Sequence, residues 1–190
     1  LVVTLLNIGV IIVNGATDAP NAIATAVSTR AMKPRHAIIM AAVFNFLGLL
    51  LVSLVSTAVA HTIFSMVDFG GNSHQALTAL MAAMVAIIVW GAAAWWFGIP
   101  TSQSHSLIAG LTGAAIAVQG GLDAINGAEW MKVIYGLALS IGLGFVMGWV
   151  LCKLVSILFA AANRRRANVF FKYAQIASAA AMSFMHGAQD

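Results

Sequence analysis

Charge is what this sequence has least of. Asp, Glu, Lys and Arg make up 7% of its 190 residues, against about 25% in a soluble domain. Five acidic and nine basic side chains cannot cover a wetted surface, and an ordinary soluble domain is excluded. Cysteine is rarer still. Cys152 stands alone in an apolar run, which rules out an internal disulfide. Proline occurs only at Pro20, Pro34 and Pro100, each beside a polar run or a basic turn. What fills the chain instead is apolar: 62% hydrophobic residues and a mean hydropathy of +0.97. The expected class is an all-α polytopic membrane protein. The net charge of +4 sits in clustered Lys and Arg, which bears on membrane topology and not on nucleic acid.

One polar run interrupts the apolar background most sharply: Asn14-Gly15-Ala16-Thr17-Asp18-Ala19-Pro20-Asn21-Ala22. Apolar sequence flanks it on both sides, from Leu1 to Val13 and from Ile23 to Val27. A carboxylate, two Asn and a Thr are costly at that depth and mark a functional position. Gly15 and Pro20 weaken the helix on either side of Asp18. The run therefore predicts a broken transmembrane helix whose polar groups face a site and not lipid. Gly187-Ala188-Gln189-Asp190 repeats the pattern after a second apolar run. Residue 1 is Leu and the chain stops inside this second motif, so a fragment is expected, with the second half of the functional unit outside it.

Basic residues set the topology. Arg30, Lys33 and Arg35 surround Pro34 and place the first turn in the cytoplasm. A second span follows from His36 to about Ala60, with Asn45 expected to make an interhelical hydrogen bond. His61 to Gln75 has no Lys or Arg and falls outside. Ala76 to Phe97 is a third apolar segment, closed by Trp95-Trp96-Phe97. The polar run from Gly98 to Ser106 comes next, then the apolar stretch Leu107 to Val118, too short to cross alone. Ala76 to Val118 reads as a re-entrant helix pair with a polar tip. Gln119 to Glu129 is then outside. Trp130 to Ala162 is a long span with small residues at every fourth position, from Gly136 and Ser140 to Ser156 and Ala160, suited to close helix packing. Arg164-Arg165-Arg166 mark the cytoplasm again. The first motif is thus met from outside and the second from inside, as an inverted-topology repeat requires. Residues 1–167 form the expected first repeat and 168–190 the start of the second.

The tip carries Thr101, Ser102, Gln103, Ser104, His105 and Ser106 just ahead of a helix. The first N–H groups of that helix lack intrahelical partners, and its dipole puts partial positive charge there. Hydroxyls beside such N–H groups suit a tetrahedral oxyanion; an ordinary Ser N-cap is the simpler alternative. Asp18 and Asp190 cannot offset an anion directly. They suit a coupling cation, Na⁺ or H⁺, helped by Asn14, Thr17, Gln189 and carbonyls released at the helix breaks. A serine hydrolase is disfavoured, because adjacent Ser104 and His105 point about 100° apart on a helix. An anion channel has little use for buried carboxylates.

These residues carry a resemblance. Gly15 to Ala22 resembles the repeated G-A-N-D-x-x-N-A signature of the inorganic phosphate transporter (Pit) family. Arg30-Ala31-Met32 and Met40 to Gly48 are similar to its bacterial low-affinity members, and Pro100 to Ile108 resembles its P-x-S-[ST]-[ST]-H segment. His186 to Asp190 resembles the start of its second signature. The resemblance implies an inverted-repeat symporter of inorganic phosphate, with Na⁺ or H⁺, in the bacterial cytoplasmic membrane. No enzyme activity and no cofactor are implied; a divalent metal would travel as a neutral metal–phosphate complex. Asp18, Asn21 and Asp190 would line the cation and phosphate site, with Ser102, Gln103 and Ser104 on phosphate and His105 close by. Inorganic phosphate and the bilayer are the implied partners, with a second copy of the chain as a candidate. Thr17 and Gln189 stand where the family usually has Asn, Pro20 where it often has Ala, and Gln103 where it has a hydroxyl. Those departures keep sulfate as the alternative substrate.

Overall fold

Helices carry almost the whole chain. A computed structural model describes residues 1–55, 65–68, 73–99 and 101–189; His61, Pro100 and Asp190, singled out above, lie outside the described residues. Among the described residues the helices are α1 (Val2–Thr17), α2 (Ala19–Ser28), α3 (Pro34–Val55), α4 (Ser73–Phe97), α5 (Gln103–Gln119), α6 (Gly127–Leu158) and α7 (Arg164–Gln189), with a short 3₁₀ turn at Leu122–Ala124. Four described segments are long and apolar enough to cross a membrane: Val2–Ser28, Pro34–Val55, Ser73–Phe97 and Gly127–Leu158. The chain is an all-helical, multi-pass membrane protein. The large apolar side chains left on helix surfaces, such as Ile12, Phe46, Val89 and Phe145, are what lipid contact requires.

Contacts fix the helix directions. Thr29 at the end of α2 hydrogen-bonds Gln175 at 2.6 Å, and Asn45 in α3 bonds His186 at 3.1 Å. Gln175 to His186 therefore ascends α7 as Thr29 to Asn45 ascends α3. α7 runs parallel to α3 and antiparallel to α2, and both basic turns lie at the same end of the molecule. The other end is clasped by backbone. Asp68 N–H donates to Ala124 O and Asn126 N–H to Met66 O, each at 2.9 Å, and Gln119 Nε2 reaches Asp68 O at 3.3 Å. Met66, Val67 and Ala124 join Ala83, Leu111 and Ala115 in the buried cluster beneath this clasp.

Small residues set the closest approaches. A Cβ on Gly48 would strike the Phe184 carbonyl oxygen, and one on Gly187 the Asn45 carbonyl oxygen. Glycine is thus required on both sides of the α3–α7 contact, and the interhelical bond expected of Asn45 forms there. α4 lays Ala79, Ala83, Ile87, Gly91 and Ala94 inward, and packs on α5 and α1. α6 differs. It buries no residue, and a Cβ on Gly136, Gly144 or Gly148 would meet nothing within 4 Å. The close packing expected of its small-residue stripe finds no partner helix among the described residues.

The α3–α7 crossing yields a stability prediction. Gly48→Ala should lower the thermal midpoint in detergent, by the equivalent of about 1–3 kcal/mol of overpacking. Gly136→Ala, facing open space, should leave the midpoint unchanged. Equal midpoints for the two variants would show that α3 and α7 do not cross so closely.

Candidate functional site

The break in the first membrane span comes from two backbone facts. Pro20 has no N–H, so the Ala16 carbonyl loses its usual donor four residues on. Asn21 N–H turns instead to Asp18 O at 3.0 Å, and Asp18 stays in the right-handed helical region with φ stretched to −101° at ψ −38°. The interruption is confined to this one residue. Helical hydrogen bonding persists up to it, with Asp18 N–H donating to Asn14 O at 2.9 Å. Asn14, Thr17 and Asp18 are half-buried, and the Asp18 Oδ1 atom is buried with no hydrogen-bond donor among the described residues. Asn21 lies on the exposed side of the same turn.

The tip between α4 and α5 divides its side chains among three directions. Ser102 caps α5 in an extended conformation, its hydroxyl oxygen accepting from His105 N–H at 3.5 Å. Thr101 Oγ1 accepts from Trp90 Nε1 at 2.8 Å. Each oxygen thus uses a lone pair within the protein and keeps its O–H to offer. Thr101, Ser102 and His105, with Trp90, Ser106 and Gly110, line an open cavity of about 580 Å³. Ser106 spends its own proton on Ser102 O at 2.8 Å. The Gln103 and Ser104 N–H groups begin α5 and have no carbonyl four residues back inside the helix. Ser104 lies exposed away from this cavity.

Gln103 points the third way. It is buried at 6% exposure, and its Nε2 donates to Thr17 Oγ1 at 3.5 Å. Gly91 makes room for it. A Cβ there would come within 2.8 Å of Gln103 Nε2 and would also strike Val13 Cγ1. α1, α4 and the start of α5 therefore meet at one point. Its depth follows from helix rise. Thr17 stands roughly 18 Å along the helix axis from Thr29 at ~1.5 Å per residue, close to the middle of a ~30 Å hydrocarbon core. His186 stands roughly 16 Å beyond Gln175 by the same rise, so the second motif reaches a similar depth. Gln189, the last residue of α7, is exposed there.

Residues 14–168 match the family described as the phosphate transporter family. The chain belongs to that family. A probable low-affinity inorganic phosphate transporter of Bacillus subtilis (strain 168) is 41% identical over 94% of this chain. One from Streptomyces halstedii is 40% identical over the whole chain and is 87% covered. PitA of Escherichia coli, a low-affinity inorganic phosphate transporter, is 33% identical over 94% of the chain, with 40% of its own length covered. The chain spans about half the length of the Bacillus relative, at 52%. A solved structure described as a sodium-dependent phosphate transporter shares the fold, with a TM-score of 0.77 over 98% of this chain and 53% of its own, at 21% identity.

Within this family member, sequence reasoning missed two residues of the site. Trp90 carries only an aromatic signal shared with Trp95 and Trp96, and nothing local ties it to Thr101. Gly91 carries no signal at all. Among the described residues no three His, Cys, Asp or Glu side chains converge.

The split tip sharpens the expectation for the two serines. Ser102→Ala should raise the half-saturating phosphate concentration for uptake roughly tenfold, the scale of one hydrogen bond to a charged group. Ser104→Ala, away from the cavity, should raise it less than about threefold by the same reasoning. Uptake kinetics in proteoliposomes compare them directly. Equal effects would mean the cavity is not where the anion sits.

Proposed function

We propose that the protein carrying this chain is a secondary transporter that moves inorganic phosphate together with a cation, H⁺ or Na⁺, across the bacterial cytoplasmic membrane. The observation that carries this reading is the Gln103–Thr17 contact. It joins a carboxylate-bearing helix break to a hydroxyl-lined helix N-terminus at mid-membrane depth. An anion at the α5 tip meets O–H and N–H donors, and the residues lining the cavity there include no Lys or Arg. Its charge needs a partner, and a cation at the break beside Asp18 is near enough to travel with it. Family membership and the names of the relatives support phosphate as the anion. The sodium dependence in the name of the structural neighbour supports Na⁺ as the cation. No part of this cycle requires a covalent step, so the reading is of a carrier and not an enzyme.

In this reading Thr101, Ser102 and His105 line the phosphate site, Gln103 and Ser104 border it through the start of α5, and Asn21 is near it. Asn14, Thr17 and Asp18 serve the cation, joined by Gln189 and Asp190 from the second motif. A divalent metal, where it accompanies phosphate, is cargo. Residues 1–167 form one repeat and residues 168–190 open an inverted second one. The antiparallel course of α2 and α7, each bearing or following a Gly-Ala-x-Asp motif, supports that division.

Two measurements test the proposal on the full-length protein in liposomes. Radiolabelled phosphate should accumulate when a Na⁺ or a pH gradient is imposed alone, and the gradient that drives it names the ion. Asp18→Asn should abolish that accumulation while the protein remains folded and membrane-inserted. Full accumulation in the variant would remove Asp18 from the coupling site. Movement of sulfate in place of phosphate would reassign the substrate.

A further inference from the structure

The carboxamide of Gln103 is set at the start of α5, yet it faces the broken helix and not the cavity lined by Thr101, Ser102 and His105. Its orientation is determined by its neighbour. The Thr17 hydroxyl donates its one proton to Val13 O at 3.0 Å. Thr17 Oγ1 can then only accept, and what it accepts is the Gln103 Nε2 proton at 3.5 Å. A flipped amide would set two acceptor oxygens against each other. Gln103 Oε1 is consequently turned the other way, buried and without a hydrogen-bond donor among the described residues. Asp18, the residue after Thr17, also holds a buried Oδ1 with no donor there. A buried acceptor on Gln103, which touches Thr17, and another on Asp18, the next residue along the chain from Thr17, are each costly unless something electron-poor reaches them.

We infer that Gln103 Oε1 is a ligand of the coupled cation, taken jointly with the Asp18 carboxylate. This rests on the symport reading above and moves Gln103 from the phosphate side, where the sequence pattern put it, to the cation side. The consequence is a coupling device within one residue. The backbone N–H of Gln103 opens the first turn of α5 and has no carbonyl partner inside the helix, so in this reading it faces the anion while the side chain holds the cation. Filling either site orders the residue that the other site needs, so each solute raises the affinity for the other by the same factor. The carbonyl oxygen serves Na⁺ directly, or accepts a hydrogen bond from the carried proton when the cation is H⁺.

Gln103→Leu in the full-length transporter removes the oxygen and keeps the bulk. Phosphate uptake is measured against Na⁺ and against pH at saturating phosphate, and against phosphate at a saturating level of the driving cation. The half-saturating cation concentration should rise tenfold or more. Measured also at low cation, the half-saturating phosphate concentration should match wild type there and should no longer fall as cation is added. A cation response within twofold of wild type, with or without a weaker phosphate response, overturns the assignment. Should Gln103→Leu fail to fold, Gln103→Glu keeps an oxygen and adds charge; it should lower the half-saturating cation concentration, and an unchanged value again overturns the proposal. Thermal stability gives a readout that needs no transport. Added Na⁺ or lowered pH should stabilise the wild type and stabilise the Gln103 variant less. A wild type that moves no phosphate yet shows this difference removes the symport reading and keeps the ligand. A wild type that responds to neither cation in either assay removes both.

Discussion

Polar groups in the middle of a bilayer have no water to turn to, and this chain meets that constraint at one junction. Val13 and Thr17 of α1, Gly91 of α4 and Gln103 of α5 converge there. Each satisfies or accommodates another: Gln103 donates to Thr17, Thr17 donates to Val13 O, and Gly91 leaves the gap that admits the amide. The remaining acceptors, on Asp18 and Gln103, find no donor among the described residues. Hydrocarbon makes such acceptors expensive. Their retention is most simply explained by a solute that meets them, as the proposed transport requires.

The two motifs are alike in sequence and unlike in their surroundings. Gly187 lies against the α3 backbone at Asn45, with His186 bonded to the Asn45 amide. A Cβ on Gly15, at the matching place in the first motif, would meet nothing within 4 Å. The glycine of the second motif is thus a packing residue in this structure. The glycine of the first motif owes its place to something other than contact with the described residues. Helix weakening ahead of Asp18 is one such role, although the break itself falls at Asp18 and follows from Pro20.

Much of this arrangement was legible in the residues. Hydropathy marks the spans, the two basic clusters mark one end, and the polar run at Asn14 to Asn21 marks the broken helix. All three depend on composition over a whole segment, which chain order preserves. The α5 boundary was less legible. The apolar stretch begins at Leu107, whereas the helix begins at Gln103, because Ser102 caps it and the polar residues after it are tolerated in the first turn. The direction of each tip side chain was not legible at all. Six polar residues in a row look like one cluster, but Ser102 is an extended N-cap, while the helical step from Gln103 to Ser104 turns the side chain by ~100°. Which of them faces α1 is decided by the space at Gly91, a residue on another helix.

That last point bears on how cation and anion are linked. Were the tip one continuous anion pocket, the broken helix would be a separate feature and symport would need a relay between them. The structure instead has adjacent residues of a single helix turn looking to opposite sides, Ser102 to the cavity and Gln103 to Thr17. A rigid first turn cannot move one without moving the other. Coupling of this kind needs no large conformational path between the sites, only a shared backbone whose order both solutes favour. Under the proposed symport, the one-residue distance in chain between Ser102 and Gln103 would be the physical reason that a cation beside Asp18 and an oxyanion beside Ser102 bind as a pair.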